Sequence, residues 1–307
     1  MDYNSSNIDH PLRLAAFEWL SKQTQIHGDV LPRELLAKGF IFRGERIPLV
    51  SPQGIFKPKI LPEIPLTITT TPEGPYDDSF SPDDLLLYRY RGTDPNHRDN
   101  EGLRKAMMEG TPLIYFHGVI PGKYLAIWPV YIVGDMPDRL TFKVAADDSA
   151  YLKTSMTAPS EHAADSGADI RRAYITTAVR HRLHQRGFRE RVLYAYREQC
   201  ACCKLRHPEL LDAAHIIEDR LPEGVPEVRN GISLCKLHHA AFDSYFLGIR
   251  PDYVIEIRKD LLDEEDGPML IHGVKDLNNR KIILPSPAIL SPDPELLERR
   301  YEEFRSF

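Results

Sequence analysis

The chain has few cysteines, few tryptophans and no long hydrophobic run. Of its 307 residues, four are cysteine and two are tryptophan. Its longest apolar stretches are about eight residues, as at 125–134, whereas a helix that spans a bilayer needs about 20. The first ten residues have no basic start followed by an apolar stretch, so no secretory signal is visible. We therefore expect a cytoplasmic protein with no membrane partner.

An overall excess of positive charge is also missing, because the formal net charge is −6. A whole-chain value of this sign argues against a nucleic-acid partner, since phosphate binding needs positive charge. The charge is unevenly distributed, however. Residues 171–206 contain ten basic residues, nine of them arginine, against two acidic ones, a local formal charge of +8 that leaves −14 for the remainder. Arginine suits bidentate phosphate contacts, so the segment predicts nucleic-acid contacts by Arg180, Arg182, Arg186 and Arg189. The alternative is a solvated helix face, and the residues that follow, at 200–243, favour the first interpretation.

Periodicity and turn residues divide the chain into four parts of an α+β protein. Residues 1–60 predict two helices and a hairpin of 40–42 with 47–50, either a winged-helix-like unit or a cap on the next domain. Residues 61–150 predict a β-rich, barrel-like domain around one short helix that starts at Asn100. Residues 151–170 are small and polar and predict a linker. Residues 171–307 begin with a long helix at about 171–197.

Three of the four cysteines are clustered rather than spread like a disulfide framework. Cys200 and Cys203 form one pair with two residues between them, and Cys235 and His238 form another about thirty residues later. Two such pairs satisfy tetrahedral zinc in a closed, structural site. We predict a structural Zn²⁺ site, in which Cys202 is a spare thiol that could replace a neighbour. The alternative is a set of buried, reduced cysteines without a metal.

Residues 190–250 resemble the HNH endonuclease family. The similarity rests on Ala-His-Ile at 214–216, on Asn230 fifteen residues after the histidine, and on His239 nine residues beyond that. The family fold is a ββα unit, two strands and a helix that grip one catalytic metal. The resemblance implies that His215 is the general base and that Asn230 holds this histidine or its strand in place. It also implies that His239 is a ligand of a catalytic Mg²⁺ or Mn²⁺.

The second ligand of the catalytic metal departs from the family pattern. Many members carry an acid or a histidine directly before the base, where this chain has Ala214. Asp243 lies one helical turn after His239 and shares its face, so we expect it to be the second ligand. Asp212 is the other candidate, although strand alternation points it away from His215. A chain that lacked this ligand altogether would be a non-cleaving, zinc-containing DNA-binding protein.

Residues 75–148 resemble the SRA type of PUA-like domain, a curved β-barrel that flips modified cytosine out of duplex DNA. The similarity rests on a glycine turn, an asparagine-led helix and the strands that follow. A flipped base is held by stacking on rings and by hydrogen bonds to its polar edge. The resemblance therefore implies a base pocket with Asp99, Trp128 and Tyr131, and a phosphate contact from Arg98. The alternative is that these rings belong to the barrel core.

Together, the resemblances imply a metal-dependent restriction endonuclease that acts on double-stranded DNA carrying modified cytosine. A neutral imidazole can take the proton of the attacking water, and a divalent cation can stabilise the leaving group. Because one ββα site cuts one strand, cutting both strands calls for a homodimer or for two binding events. An HNH nuclease that acts on RNA, or as a toxin, is the remaining alternative.

Overall fold

A computed structural model of the protein describes residues 8–72, 81, 85–147, 166–265 and 267–307, without the side chains of 166–171 and 173. It divides into two compact units, Met1–His184 and Gln185–Phe307. Both units mix helices with sheets, which confirms the α+β class. No helix in the described part of the chain is both long and apolar enough to cross a bilayer.

The N-terminal residues of the first unit pack onto its main sheet. Their elements are α1 (Asp9–His27), β1 (Val30–Pro32), α2 (Arg33–Lys38), β2 (Phe40–Phe42) and β3 (Glu45–Ile47). The hairpin of β2 and β3 is present, but its second strand starts at Glu45, because Arg43 and Gly44 both have positive φ and close a two-residue turn. Leu12 and Phe17 share a core with Ile114 and Phe116. This packing favours a cap on the sheet over an independent winged-helix-like unit.

The main sheet has seven strands among the residues that the structure describes. Its remaining strands are β4 (Ile55–Phe56), β5 (Thr67–Thr70), β6 (Leu86–Arg89), β7 (Leu113–Ile120), β8 (Lys123–Met136) and β9 (Thr141–Ala146). The order is β4-β5-β7-β8-β9-β6, with β1 paired to β8 and β5 parallel to β7. Every residue of β7 is buried, since its side chains alternate between two cores. The predicted strands are therefore present, whereas a closed SRA-like barrel is not confirmed.

The short helix α3 (Arg98–Glu109) begins two residues before the predicted Asn100. His97 is its cap, because the imidazole Nδ1 accepts a hydrogen bond from the Asp99 backbone N–H. Asn100 is fully buried instead and ties the preceding turn to the helix. Its Oδ1 accepts from the Arg91 N–H at 2.9 Å, and its Nδ2 donates to the carbonyls of Arg91 at 3.2 Å and Asp94 at 2.9 Å.

The long helix α4 (Ser166–Ala195) is present as predicted, but it starts earlier. Its first five residues belong to the predicted linker, and the other linker residues, 151–165, lie outside the described residues. Val179 and Leu183 belong to a core of the first unit, while Phe188 and Val192 belong to the core of the second. The four-part division of the chain stays a prediction.

The second unit contains a ββα arrangement in chain order. Its elements after α4 are β10 (Leu211–His215), β11 (Gly231–Cys235), α5 (Lys236–Asp243), β12 (Leu247–Ile249), β13 (Ile255–Ile257), α6 (Lys259–Asp263), α7 (Pro268–Gly273) and α8 (Pro294–Phe304). β10 pairs with β11, β12 pairs with β13, and α5 packs against both strands of the first hairpin. One hydrophobic core joins these elements to the last turns of α4.

The buried amide of Asn100 gives a test of the first unit. Asn100→Ala leaves the Arg91 N–H and two carbonyls without their partner, so we expect the free energy of unfolding to fall by about 2–4 kcal/mol. Urea unfolding of the full chain measures it. The control is Asn96→Ala, an exposed position in the same turn, with an expected change within about 0.5 kcal/mol. Equal losses in the two variants would contradict the assignment.

Candidate active site and metal cluster

The hairpin of β10 and β11 places His215 at the end of its first strand. The pairing runs from Leu211 opposite Cys235 to His215 opposite Gly231. Asn230 directly precedes β11 and is buried. Its Oδ1 accepts from the Ile217 N–H at 2.9 Å, and its Nδ2 donates to the carbonyls of Ile217 at 2.9 Å and Val225 at 3.1 Å. All three bonds go to main-chain atoms, so Asn230 holds the chain that follows His215.

The imidazole of His215 is half-buried beneath an aromatic ring. The Phe188 ring stacks on it with the centroids 3.9 Å apart and the planes at 18°. Burial lowers the pKa of His215, and the positive potential of His239 lowers it further, against the opposing effect of Asp219 and Asp243. Because the pKa moves below its ordinary value, the neutral imidazole, the form that accepts a proton, persists to lower pH.

Helix α5 brings His239 between two carboxylates. The Nε2 of His239 lies 3.2 Å from an Asp243 oxygen, and its Nδ1 lies 3.8 Å from an Asp212 oxygen. Strand alternation predicted that Asp212 would point away from the site, but α5 packs against β10 and brings His239 within reach of it. Asp212 also accepts from Lys236 Nζ at 2.7 Å. Burial raises the pKa of Asp212, but the hydrogen bond and charge of Lys236 outweigh this, so its pKa is lowered and the carboxylate stays ionised.

The predicted cysteine and histidine ligands converge beside the start of α5. The donor atoms of Cys200, Cys203, Cys235 and His238, called here the Cys3His cluster, all lie within 4.8 Å of one another. The Nδ1 of His238 faces the sulfur atoms of Cys235 at 3.1 Å and Cys200 at 3.4 Å. Its Nε2 donates to the Gly273 carbonyl at 2.6 Å, which fixes the tautomer whose Nδ1 lone pair faces the sulfurs. The cluster can therefore hold a metal ion with four protein ligands.

The predicted arginines differ in what they contact. Arg182 and Arg186 are exposed on α4, and Arg180 is half-buried. Arg189 instead serves the fold, because its guanidinium donates to the carbonyls of Pro208 at 2.8 Å and Leu211 at 3.0 Å and pairs with Glu190. Its donors are therefore already used within the second unit.

The predicted base-pocket residues have separate partners in the first unit. Asp99 on α3 forms an ion pair with Arg91 and lies 3.5 Å from the exposed Arg98. Trp128 on β8 packs against the same core as Leu12. The Tyr131 ring, also on β8, lies under the Arg172 guanidinium at 4.5 Å. The base pocket stays a prediction.

Two contributors to the site lie outside the motif and were missed by sequence reasoning. Phe188 precedes the motif on α4, and Gly273 follows it at the end of α7. The glycine at position 231 is the sequence feature that accompanies the contact of Phe188 with the hairpin. A Cβ on Gly231 would lie 2.8 Å from Phe188 Cζ and 2.5 Å from Val192 Cγ2, so this glycine permits the close approach of α4.

The second unit thus combines a ββα arrangement with one histidine at the end of a strand and a histidine–acid pair on the helix. This is the arrangement that the resemblance to HNH endonucleases predicts. Consistent with this, the HNH endonuclease family model matches residues 200–250, a range that includes β10, β11, α5 and the Cys3His cluster. These residues are an HNH endonuclease domain, and the chain that carries it is a nuclease.

Solved structures similar to this chain include two restriction endonucleases. The modification-dependent TagI restriction endonuclease has 13% sequence identity and a TM-score of 0.28, covering 78% of this chain and 82% of its own. The Type IV phosphorothioation-dependent restriction endonuclease ScoMcrA has 17% identity and a TM-score of 0.21, covering 58% of this chain and 54% of its own. A search of curated proteins gives no match to the chain.

Adjacent cysteines give a test of the metal cluster. Cys203→Ser removes an exposed member of the Cys3His cluster, so we expect bound metal to fall from about one ion per chain to almost none. Elemental analysis of the purified protein measures this, and the melting temperature should fall with it. The control is Cys202→Ser, which lies outside the cluster and should retain the metal. Loss of metal from the control alone would overturn the ligand set.

Proposed function

We propose that the protein is a metal-dependent restriction endonuclease that hydrolyses phosphodiester bonds in duplex DNA, directed to DNA that carries modified cytosine. The observation that carries the nuclease part is that His215, His239 and Asp243 belong to one ββα unit, in which the charges of His239 and Asp243 influence the pKa of His215. His215 sits on the strand, and the histidine–acid pair sits on one face of the helix. This arrangement offers a base and a cation site to the same scissile phosphate.

His215 is the proposed general base. Burial lowers its pKa, so that a neutral imidazole is available to take a proton from the attacking water. Asn230 acts through the main chain, because its amide fixes Ile217 and thereby the end of the strand that carries the base. His215 is thus the residue that meets the water, and Asn230 is a positioning residue.

His239 and Asp243 are the proposed ligands of a catalytic Mg²⁺ or Mn²⁺. A nitrogen and a carboxylate oxygen 3.2 Å apart on a half-exposed surface fit a cation that keeps several waters and binds substrate phosphate. When bound, this cation neutralises charge on the phosphate and the leaving oxygen. Asp212 approaches the other nitrogen of His239, so it suits the role of orienting that imidazole rather than of a ligand.

The Cys3His cluster suits zinc. Three thiols and one imidazole are the donor set of closed, tetrahedral Zn²⁺ sites, and the Gly273 carbonyl orients the imidazole as outer partners of such sites do. The cluster joins the loop at 200–203 to the first turn of α5. Zinc here would stabilise the fold of the nuclease unit and take no part in the reaction.

Exposed arginines are the proposed contacts to the phosphate backbone. Arg182 and Arg186 are exposed on α4, and the half-buried Arg180 and the exposed Arg98 complete the proposed set. Such contacts position DNA without reading its sequence. Since each ββα unit cuts one strand, we propose that double-strand cleavage uses a homodimer or successive binding events.

The choice of modified cytosine rests on the sequence resemblance of residues 75–148 to SRA domains. The proposed pocket residues are Asp99, Trp128 and Tyr131, whose rings and carboxylate match what a flipped base needs. The nuclease proposal and the modified-cytosine proposal can be tested independently. The proposed nuclease site lies within the second unit, and the proposed pocket residues lie within the first.

Removal of the base tests the nuclease site. We expect His215→Ala to reduce the nicking of supercoiled plasmid by about 10²–10⁴-fold in the presence of Mg²⁺ or Mn²⁺. The matched control is His207→Ala, an exposed histidine outside the site, which should nick at the wild-type rate. Both proteins are checked for bound metal and melting temperature. Full cleavage by His215→Ala would contradict the assignment of the base.

Matched DNA substrates test the modified-cytosine proposal. We expect duplexes that contain 5-methylcytosine or 5-hydroxymethylcytosine to be cut faster than the same sequence with unmodified cytosine, because only the former would be captured in the proposed pocket. Structured RNA is the further substrate. Equal cutting of the three DNAs would remove the modified-base proposal and leave the nuclease intact, whereas preferential cutting of RNA would replace the DNA substrate.

A further inference from the structure

The proposed base lacks the usual anchor of a catalytic histidine. In general-base histidines, a hydrogen bond to the nitrogen that does not take the proton fixes both the tautomer and the ring plane. Here the Nε2 of His215 is buried and has no hydrogen-bond partner among the residues that the structure describes. Among these residues, the contacts of the ring faces are what remains to hold the imidazole.

A ring contact takes the place of that anchor. Phe188 is 2% exposed, and its ring lies nearly parallel to the imidazole with the centroids 3.9 Å apart. At this separation the two rings are in van der Waals contact over their faces, so the imidazole cannot tilt toward the phenyl ring without a clash. The contact also covers one face of the imidazole against water.

The strand opposite His215 has a glycine where the Phe188 ring approaches. Gly231 is the register partner of His215, and a Cβ there would lie 2.8 Å from Phe188 Cζ and 3.0 Å from Phe188 Cε2. A side chain at position 231 would therefore clash with the Phe188 ring in its present place. The backbone of Gly231 is extended, with φ −133°, so close approach rather than an unusual conformation explains the glycine.

We infer that Phe188, which lies outside the HNH motif, is a positioning residue that fixes the plane of the His215 imidazole during DNA cleavage. This inference rests on the proposed role of His215 as the base and deepens it. Phe188 touches neither the substrate nor a metal ligand in this role. It acts only through the ring of His215.

The charges around His215 decide the sign of the expected pH effect. Asp219 and Asp243 favour the protonated imidazole, whereas burial and His239 favour the neutral one, and burial is the largest influence. Loss of the covering ring admits water to the imidazole, so the pKa of His215 should rise toward its ordinary value. Since the neutral form is the active one, the acidic limb of the rate profile should move to higher pH.

Two substitutions and one matched control test the inference. Phe188→Leu and Phe188→Met keep an apolar side chain without a flat ring, and Val192→Ala opens the same core on the next turn of α4 without altering the stack. Single-turnover cleavage of a duplex DNA at saturating Mg²⁺ or Mn²⁺ gives the rate constant and the half-saturating enzyme concentration. We expect both Phe188 variants to lose on the order of ten- to a hundredfold in rate constant, with half-saturation changed by less than about twofold. Their acidic limb should shift upward, and that of Val192→Ala should not.

A spectroscopic measurement on the wild-type protein needs no variant to fold. The stacked phenyl ring should move the imidazole protons of His215 upfield of those of the exposed His207 in an NMR spectrum. The inference would be overturned by a Phe188 variant whose acidic limb lies at the wild-type pH and whose rate loss is no larger than that of Val192→Ala. It would also be overturned if the imidazole protons of His215 resonated no further upfield than those of His207. If His215→Ala itself cleaves at the wild-type rate, the base assignment fails first and the role of Phe188 fails with it.

Discussion

The Cys3His cluster is the constraint on which the geometry of the nuclease unit depends. It joins the loop before β10, the last residue of β11 and the first turn of α5 at one point, and the Gly273 carbonyl adds α7 from outside. Helix α5 has only eight residues, which is too short for a helix to be stable in isolation, so it depends on contacts with the rest of the unit. Its first turn carries His238 of the cluster, and the next residue, His239, is a proposed ligand of the catalytic cation. The cluster and the proposed cation site are thus neighbours on one short helix, with His238 on its buried side and His239 on its half-exposed side.

Two other contacts hold His215, the proposed base. Asn230 fixes the main chain just after His215, and Phe188 fixes the plane of its ring. These constraints come from different parts of the chain and act on different degrees of freedom. The division of labour matters because proton transfer from a bound water needs both the position and the orientation of the imidazole. A hairpin alone would set the position of the Cα atom and leave the ring free.

Features fixed by short spacing could be predicted from the sequence, and those fixed by distant contacts could not. The two ligand pairs and the helical partnership of His239 with Asp243 follow from local spacing, whereas the set of His215, Asn230 and His239 came from the resemblance to HNH endonucleases. The approach of Asp212 to His239, the ring of Phe188 and the Gly273 carbonyl depend on how separate elements pack. The start of α3 was misplaced for a related reason, because Asn100 resembles a helix cap but its amide is used to tie down the preceding turn.

The roles of the individual arginines also depend on contacts that the sequence does not reveal. The net charge of −6 conceals a segment of +8, and the segment value in turn conceals how its arginines are used. Arg189 donates to the carbonyls of Pro208 and Leu211, before and at the start of β10, and Arg191 donates to the Pro226 carbonyl in the loop between β10 and β11, so part of the basic segment holds α4 against the hairpin. A guanidinium held in this way still contributes to the potential near the site, but it offers fewer donors to a phosphate. The affinity of the protein for DNA should therefore depend on the exposed arginines, whereas the half-buried Arg189 and Arg191 stabilise the packing of α4 within the second unit.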